Sequence, residues 1–281
     1  MKKILVPIDL SEHSDRPLAA AKLLADKAET ELLLLHAYQP YAPDMPDMTV
    51  PGAAGMIPLS PEIEKSFKKR LNDQVTTLEG EGFRVQGLWS VGGIEPAVKE
   101  AIADHRPDLV VMGRSGEGGF LDSLIGSSAT DIGLEANCPV LIVPPKASPT
   151  KFKEIVYATQ LEYDENDILR RALPVFERMA GRVTFLKINS PAQPNVQSDD
   201  QYTDQIMGEF GVPRQAFVLR DSGAVLQGIE DYCDEIEADL LVMSTRKRGF
   251  IEALITNPSL TKKMILHTHI PLLVYHIEDS E

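Results

Sequence analysis

The chain is poor in several things that would narrow its chemistry. It has two cysteines and one tryptophan in 281 residues, and its 42 acidic residues outnumber its 28 basic ones. Two cysteines cannot make a disulfide framework. Cys138 and Cys233 fall at matching places in the two halves, so each is expected to be a small buried filler. There is no Cys-x-x-Cys and no His-Glu-x-x-His. His267-Thr268-His269 is the one close histidine pair and a weak metal candidate. A P-loop run is missing, and Gly116-Glu117-Gly118-Gly119 lacks the dinucleotide fingerprint. Gly113-Arg114-Ser115-Gly116 is one residue short of a nucleophile elbow. No nucleophile–base pair is evident, so no catalytic residue is assigned.

The formal net charge of −14 disfavours nucleic acid and acidic lipid as partners. It does not exclude an anionic nucleotide, because backbone dipoles act at short range while the global field is screened. No apolar run is long enough to span a bilayer. Met1-Lys2-Lys3 leads into a strand broken by Pro7 and Asp9, which does not read as a signal peptide. The expected location is cytoplasmic.

What is present is an internal repeat. Glu154-Ile155-Val156-Tyr157-Ala158-Thr159-Gln160 repeats Lys3-Ile4-Leu5-Val6-Pro7-Ile8-Asp9. The run from Arg182 to Ile188 repeats that from Glu31 to Ala37, and Ala238 to Ser244 repeats Pro107 to Gly113. Ile270 to Tyr275 repeats Cys138 to Val143. A proline-rich stretch, Pro144-Pro145-Lys146-Ala147-Ser148-Pro149, separates the copies. The expected domains are 1–146 and 150–281. In each, apolar strands alternate with amphipathic helices, read at 18–28, 63–79 and 95–105 in the first copy. That pattern predicts an α/β protein with parallel strands and right-handed crossovers. Five strands per copy are expected in a flavodoxin-like order. The fifth lies at an edge where the two copies can meet.

The most informative stretch begins at Asp108. Leu109-Val110-Val111-Met112 reads as a buried parallel strand, followed by Gly113 and Gly116. Gly126-Ser127-Ser128 then opens a helix that reaches Ala136. Glycines let main chain come close to a ligand, and a helix start with small hydroxyl residues suits a phosphate. A serine N-cap behind a glycine is the plainer reading, but it needs only one of each. Ligands of open α/β sheets sit at the carboxyl ends of the strands, where these glycines fall.

The spacing Gly-x2-Gly-x9-Gly-Ser resembles the nucleotide signature of the universal stress protein family. The opening run from Ile4 to Ser14 and the closing run from Cys138 to Pro144 resemble that family too. The resemblance implies two tandem five-stranded Rossmann-like domains, of the adenine-nucleotide α-hydrolase-like kind, paired as an intramolecular pseudo-dimer. It implies an ATP- or other adenine-nucleotide-binding regulatory protein of the stress response, with Mg2+ beside the phosphates, and possible pairing of whole chains. Gly113, Gly116, Gly126, Ser127 and Ser128 would hold ribose and phosphates. Asp9 would contact ribose or a divalent ion, or else cap the helix that begins near Ser14. Pro7 and Ala37 map to the adenine pocket, with Met112 beside the base. Arg114 would neutralise a phosphate or lie in solvent. His36 reads as a core or edge histidine rather than a catalyst, and His13 carries no assigned role.

The residues 38–61 form the long connection of the first copy, either a solvated linker or a lid over the base. In the second copy, 193–205 occupies that place. The second copy departs where the signature matters. Asp9 is matched by Gln160 and Gly113 by Ser244. The later glycines fall in Lys247-Arg248 and Asn257-Pro258-Ser259. One nucleotide per chain is therefore expected, in the first copy. The basic run Arg246-Lys247-Arg248 reads as a solvated turn or a loose anion site. Slow ATP hydrolysis and an interaction protein without nucleotide are the alternative functions.

Overall fold

The protein is described from a computed structural model. The residues described are 1–11, 14–38, 60–114, 127–159, 165–191, 199–246 and 260–277. The first half runs β1 (Lys3–Pro7), α1 (Asp15–Leu24), β2 (Glu31–Tyr38), α2 (Pro61–Gly80), β3 (Arg84–Val91), α3 (Ile94–His105), β4 (Leu109–Gly113), α4 (Ser127–Glu135) and β5 (Val140–Val143). The second half runs β6 (Glu154–Ala158), α5 (Asn166–Arg178), β7 (Arg182–Asn189), α6 (Asp199–Phe210), β8 (Phe217–Asp221), α7 (Val225–Glu235), β9 (Leu240–Arg246), α8 (Leu260–His267) and β10 (Leu272–Ile277).

The apolar runs do become buried strands. Ile4, Leu5, Val6, Leu32, Leu33 and Leu34 have no solvent-exposed surface. Both sheet faces are covered, which is why these runs are continuous rather than alternating. One face packs α1 and α2 over Ile4, Val6, Leu32 and Leu34; the other packs α3 and α4 over Leu5, Leu33 and Val110. Helix α2 starts where Ser60 accepts a hydrogen bond from the Ile63 amide and Pro61 occupies the first turn. Helix α1 ends at Leu24, four residues before its apolar pattern does. Asp26 ends that pattern by turning its Oδ1 to the Ala28 amide at 2.8 Å.

Among the described residues the ten strands form one sheet in the order β3-β2-β1-β4-β5-β10-β9-β6-β7-β8. Each half is therefore ordered 3-2-1-4-5. This corrects the flavodoxin-like order, 2-1-3-4-5, and moves the topological switch point to the cleft between β1 and β4. The fifth strands meet as expected. β5 and β10 pair antiparallel, Leu273 opposite Leu141 and Leu272 opposite Ile142. Leu141 and Leu273 are counterparts in the repeat, so a local two-fold axis passes between them. The other pairs between adjacent strands are parallel.

The register makes the two halves comparable residue by residue. Lys3 faces Glu31 as Glu154 faces Arg182, and Ile4 faces Leu109 as Ile155 faces Leu240. An aspartate clamps the lower end of each half. Asp108 Oδ2 accepts from the amides of Lys2 and Lys3, and Asp239 Oδ2 accepts from those of Lys153 and Glu154 at 3.0 Å. Both sit at the amino ends of the strands, away from the cleft.

Candidate functional site

Pro7 ends β1, and Ala37 and Met112 are the last residues but one of its neighbours β2 and β4. Ala37 and Met112 belong to the face covered by α3 and α4. Strand alternation puts Pro7 on that face too, since Leu5 lies there and Ile4 and Val6 lie on the other. Ala37 is 9% exposed and Met112 5%. Gly113 follows Met112, and helix α4 begins at Ser127, with Ser128 buried in its first turn. The cleft thus gathers Pro7, Ala37, Met112, Gly113 and the α4 start. Gly116 and Gly126 lie outside the described residues, as do the side chain of Ser127, His13 and the connection 39–59.

Gly113 has a conformation open to any residue, its φ lying outside the left-handed region, and among the described residues a Cβ built on it meets only Pro17 Cγ, at 3.8 Å. Nothing among the described residues requires a glycine there. In the second half the same position is Ser244. Its hydroxyl donates to Glu165 Oε1 at 2.9 Å, and Thr261 Oγ1 donates to the Ser244 carbonyl at 3.3 Å. Thr159 donates to the other Glu165 oxygen. Glu165 is 3% exposed and stands at the start of α5, where the first half has Ser14 at the start of α1. The second cleft therefore holds a buried carboxylate of its own, a poor environment for a second anion.

The base-side position differs likewise. The counterpart of Ala37 is Ile188, 7% exposed. The extra bulk is accommodated by Gly228, fourth residue of α7, where the first half has Ala97, fourth residue of α3. A Cβ on Gly228 would lie 2.9 Å from Ile188 Cγ2 and from Ser222 Cβ. This glycine is kept for packing, whereas Gly113 is not.

Asp9 has a clear structural duty. Its Oδ1 accepts from the Ser11 amide at 2.8 Å, from the Ser11 hydroxyl at 2.6 Å and from the Ser14 hydroxyl, while Ser14 Oγ accepts from the Asp9 amide. The carboxylate thereby organises the β1–α1 loop. Leu10, in the same loop, adopts φ +60°, and Arg70 from α2 donates to its carbonyl. Sequence reading gave Arg70 no role; its partner is 60 positions away.

Arg114 does not extend into solvent. Its Nη1 donates to the carbonyl of Ile265, in the last turn of α8, at 2.9 Å. Its amide continues the sheet onto Val143 O at 2.9 Å. Burial lowers the guanidinium pKa from its ordinary value, and the negative end of helix α8 is the group it faces.

His36 is buried, 5% exposed, with Nδ1 2.9 Å from the Ile8 carbonyl. A carbonyl only accepts, so Nδ1 carries the proton and Nε2 is an acceptor without a hydrogen-bond partner. The ring packs on Phe67 and Trp89, at centroid distances of 5.3 and 5.5 Å. Burial lowers its pKa, outweighing the Ile8 hydrogen bond and nearby Asp9, which raise it; Arg70 also lowers it. It is a core histidine, as expected. Its counterpart Lys187 is buried and paired with Asp199, at the first turn of α6. The 193–205 segment is thus not all connection, since α6 begins at Asp199.

Cys138 and Cys233 are free thiols pushed up to about 12 by burial, so neither is reactive at neutral pH. His269 pairs with Asp234 at 2.8 Å. Among the described residues no group of three metal-binding side chains occurs, and no helix is long and apolar enough to cross a membrane. Gln160, the Arg246 side chain, Lys247, Arg248 and Asn257-Pro258-Ser259 lie outside the described residues.

The fold defines a tandem Rossmann-like α/β protein whose two clefts are lined differently. The model of the universal stress protein family matches residues 1–144 and again 151–276. The chain belongs to the universal stress protein family. It is 32% identical over 148 residues to the universal stress protein in QAH/OAS sulfhydrylase 3'region of Thermus aquaticus, covering 50% of this chain and 98% of that one. A universal stress protein structure from Archaeoglobus fulgidus has the same fold along 99% of this chain and 97% of its own, with a TM-score of 0.71 at 19% identity. A universal stress protein solved in complex with cAMP matches 50% of this chain and 96% of its own, at 24% identity and a TM-score of 0.37.

Proposed function

We propose that the protein is an adenine-nucleotide-binding regulatory protein of the stress response, with one site per chain, in a domain spanning 1–146. The observation that carries this reading is Gly113. The described residues leave room for a side chain there and the chain has none, at the mouth of the cleft between β1 and β4. Close approach of a ligand to main chain accounts for that. Ala37 and Met112 would flank the base, and Pro7 would close the same pocket. Asp9 would present its loop to the ribose. The α4 amides, with Ser127 and Ser128, would receive phosphates, together with Gly116 and Gly126. ATP fits this donor set; Mg2+ would arrive with the phosphates, which supply most of its oxygens.

The domain spanning 150–281 serves as pseudo-dimer partner. Glu165 and Ile188 occupy the places that a phosphate and a base would need. The nucleotide acts by binding two conformations or assemblies with different affinity.

The test is direct. Purified protein is denatured and released adenine nucleotide is sought by absorbance and chromatography. MgATP is then added to nucleotide-free protein and the melting temperature followed. At a hundred times Kd the ligand should stabilise by about 2.7 kcal/mol. No released nucleotide and no shift with MgATP would leave an interaction protein as the better account.

A further inference from the structure

The two halves touch across β5 and β10 and through α4 against α8. At that seam, counterpart carbonyls are bonded from the opposite half by side chains that are not counterparts. Gly133 in α4 and Ile265 in α8 occupy the same repeat position: the Ala136 amide bonds Ile132 O as the Thr268 amide bonds Met264 O, one residue before each. The two residues also face each other, a Cβ built on Gly133 lying 3.0 Å from Ile265 Cδ1. The Gly133 carbonyl accepts from His276 Nε2 at 3.0 Å, and the Ile265 carbonyl accepts from Arg114 Nη1 at 2.9 Å. His276 is the last residue but one of strand β10, and its counterpart is Pro144. Arg114 follows Gly113, and its counterpart is Thr245. Among the described residues, the chain leaving β4 is fastened to the other half by Arg114, and Thr245 makes no matching bond.

We propose that Arg114 is a positioning residue: it fixes the start of the glycine segment by anchoring it to the carboxyl end of α8, so that the second half completes the nucleotide site of the first. This rests on the nucleotide reading above. The Ile265 carbonyl belongs to the last turn of a helix, where carbonyls lack an intrahelical partner and carry the negative end of the dipole. A half-buried guanidinium is a strong, directional partner for it. With its amide bonded to Val143 and its side chain to Ile265, Arg114 sets the direction in which the chain leaves β4. A ligand that binds the chain leaving β4 also favours this contact, and linkage makes the effect reciprocal.

The experiment uses the full chain with MgATP as probe. Amide hydrogen exchange in the last turn of α8 is followed with and without MgATP, and affinity is measured by calorimetry for the wild type, Arg114→Met and Arg114→Lys. Saturating MgATP should slow exchange of the 264–268 amides in the wild type, although they lie in the other half. Arg114→Met should bind about tenfold more weakly and lose that protection, and Arg114→Lys should recover part of both. If MgATP binds but leaves α8 exchange unchanged, Arg114 is not a tether to the site; weaker binding by Arg114→Met would then mark a direct phosphate contact. Equal affinity of Arg114→Met and wild type would likewise overturn the proposal. A wild type that binds no MgATP would overturn this proposal and the nucleotide reading together. The exchange response of the wild type stands as a test even if a variant misfolds.

Discussion

The two halves share a scaffold and differ at the cleft. Asp108 and Asp239 make the same clamp on the amides at the amino ends of β1 and β6, and the strand registers coincide. At the carboxyl ends the correspondences fail: Ala37 becomes Ile188, Ser14 becomes Glu165, and Gly113 becomes Ser244. What recurs in both halves serves folding, and under the proposed function Gly113 and Ala37, which do not recur, would serve the ligand. The comparison also separates two kinds of glycine. Gly113 has room for a side chain it lacks, whereas Gly228 has none to spare.

Gly113→Val gives the largest contrast. It should reduce MgATP affinity by more than a hundredfold, about 2.7 kcal/mol or more, and leave the melting temperature within a few degrees of wild type. A large loss of stability with binding intact would break the comparison. Gly228→Ala should do the opposite. Its Cβ meets Ile188 Cγ2 and Ser222 Cβ at 2.9 Å, so urea unfolding should show a loss of about 1–3 kcal/mol, with affinity unchanged.

Asp108→Ala and Asp239→Ala should cost similar amounts, about 1–3 kcal/mol each, because each removes a charged acceptor from two amides. Clearly unequal costs would mean that the two clamps are not one scaffold feature.

The smallest effect is a pH dependence. His36 is held neutral in the fold, with its pKa lowered below 6.5. The unfolded chain therefore binds more protons near pH 6. His36 favours folding fully above its unfolded pKa, and that stability is lost as pH falls from about 6.5 toward the folded value. His36→Phe should flatten the stability profile between pH 7 and 5, measured by urea unfolding. An unchanged slope would remove His36 as its source. The groups nearest the ring are Asp9 and Arg70; the second half has the Lys187–Asp199 pair in its place.

Much of the fold was legible. The repeat, the alternating elements and the meeting of fifth strands follow from apolar runs that recur in order. Strand order was not, because Leu109 to Met112 announces a buried strand without saying which strand lies beside it. The flavodoxin-like guess put the switch point in the wrong place while leaving the glycines at the correct end of the sheet. Of the site residues, Pro7, Ala37, Met112 and Gly113 converge on one cleft because each lies at or next to the carboxyl end of its strand, a position that sequence can count. Arg114 could not be traced that way, since its partner Ile265 is 151 positions away. Glu165 was missed because it stands where the first half has a serine, and only the fold brings it to Ser244. One signal was available and unused: Asp108 and Asp239 recur while Asp9 does not, which already marks the first pair as scaffold.

The central claim is that the first cleft takes a nucleotide and the second does not. Calorimetric titration of nucleotide-free protein with MgATP tests it most directly. The account predicts one nucleotide bound per chain, abolished by Gly113→Val and unaffected by Ser244→Ala. Two nucleotides per chain, or one that survives Gly113→Val and is lost with Ser244→Ala, would contradict it.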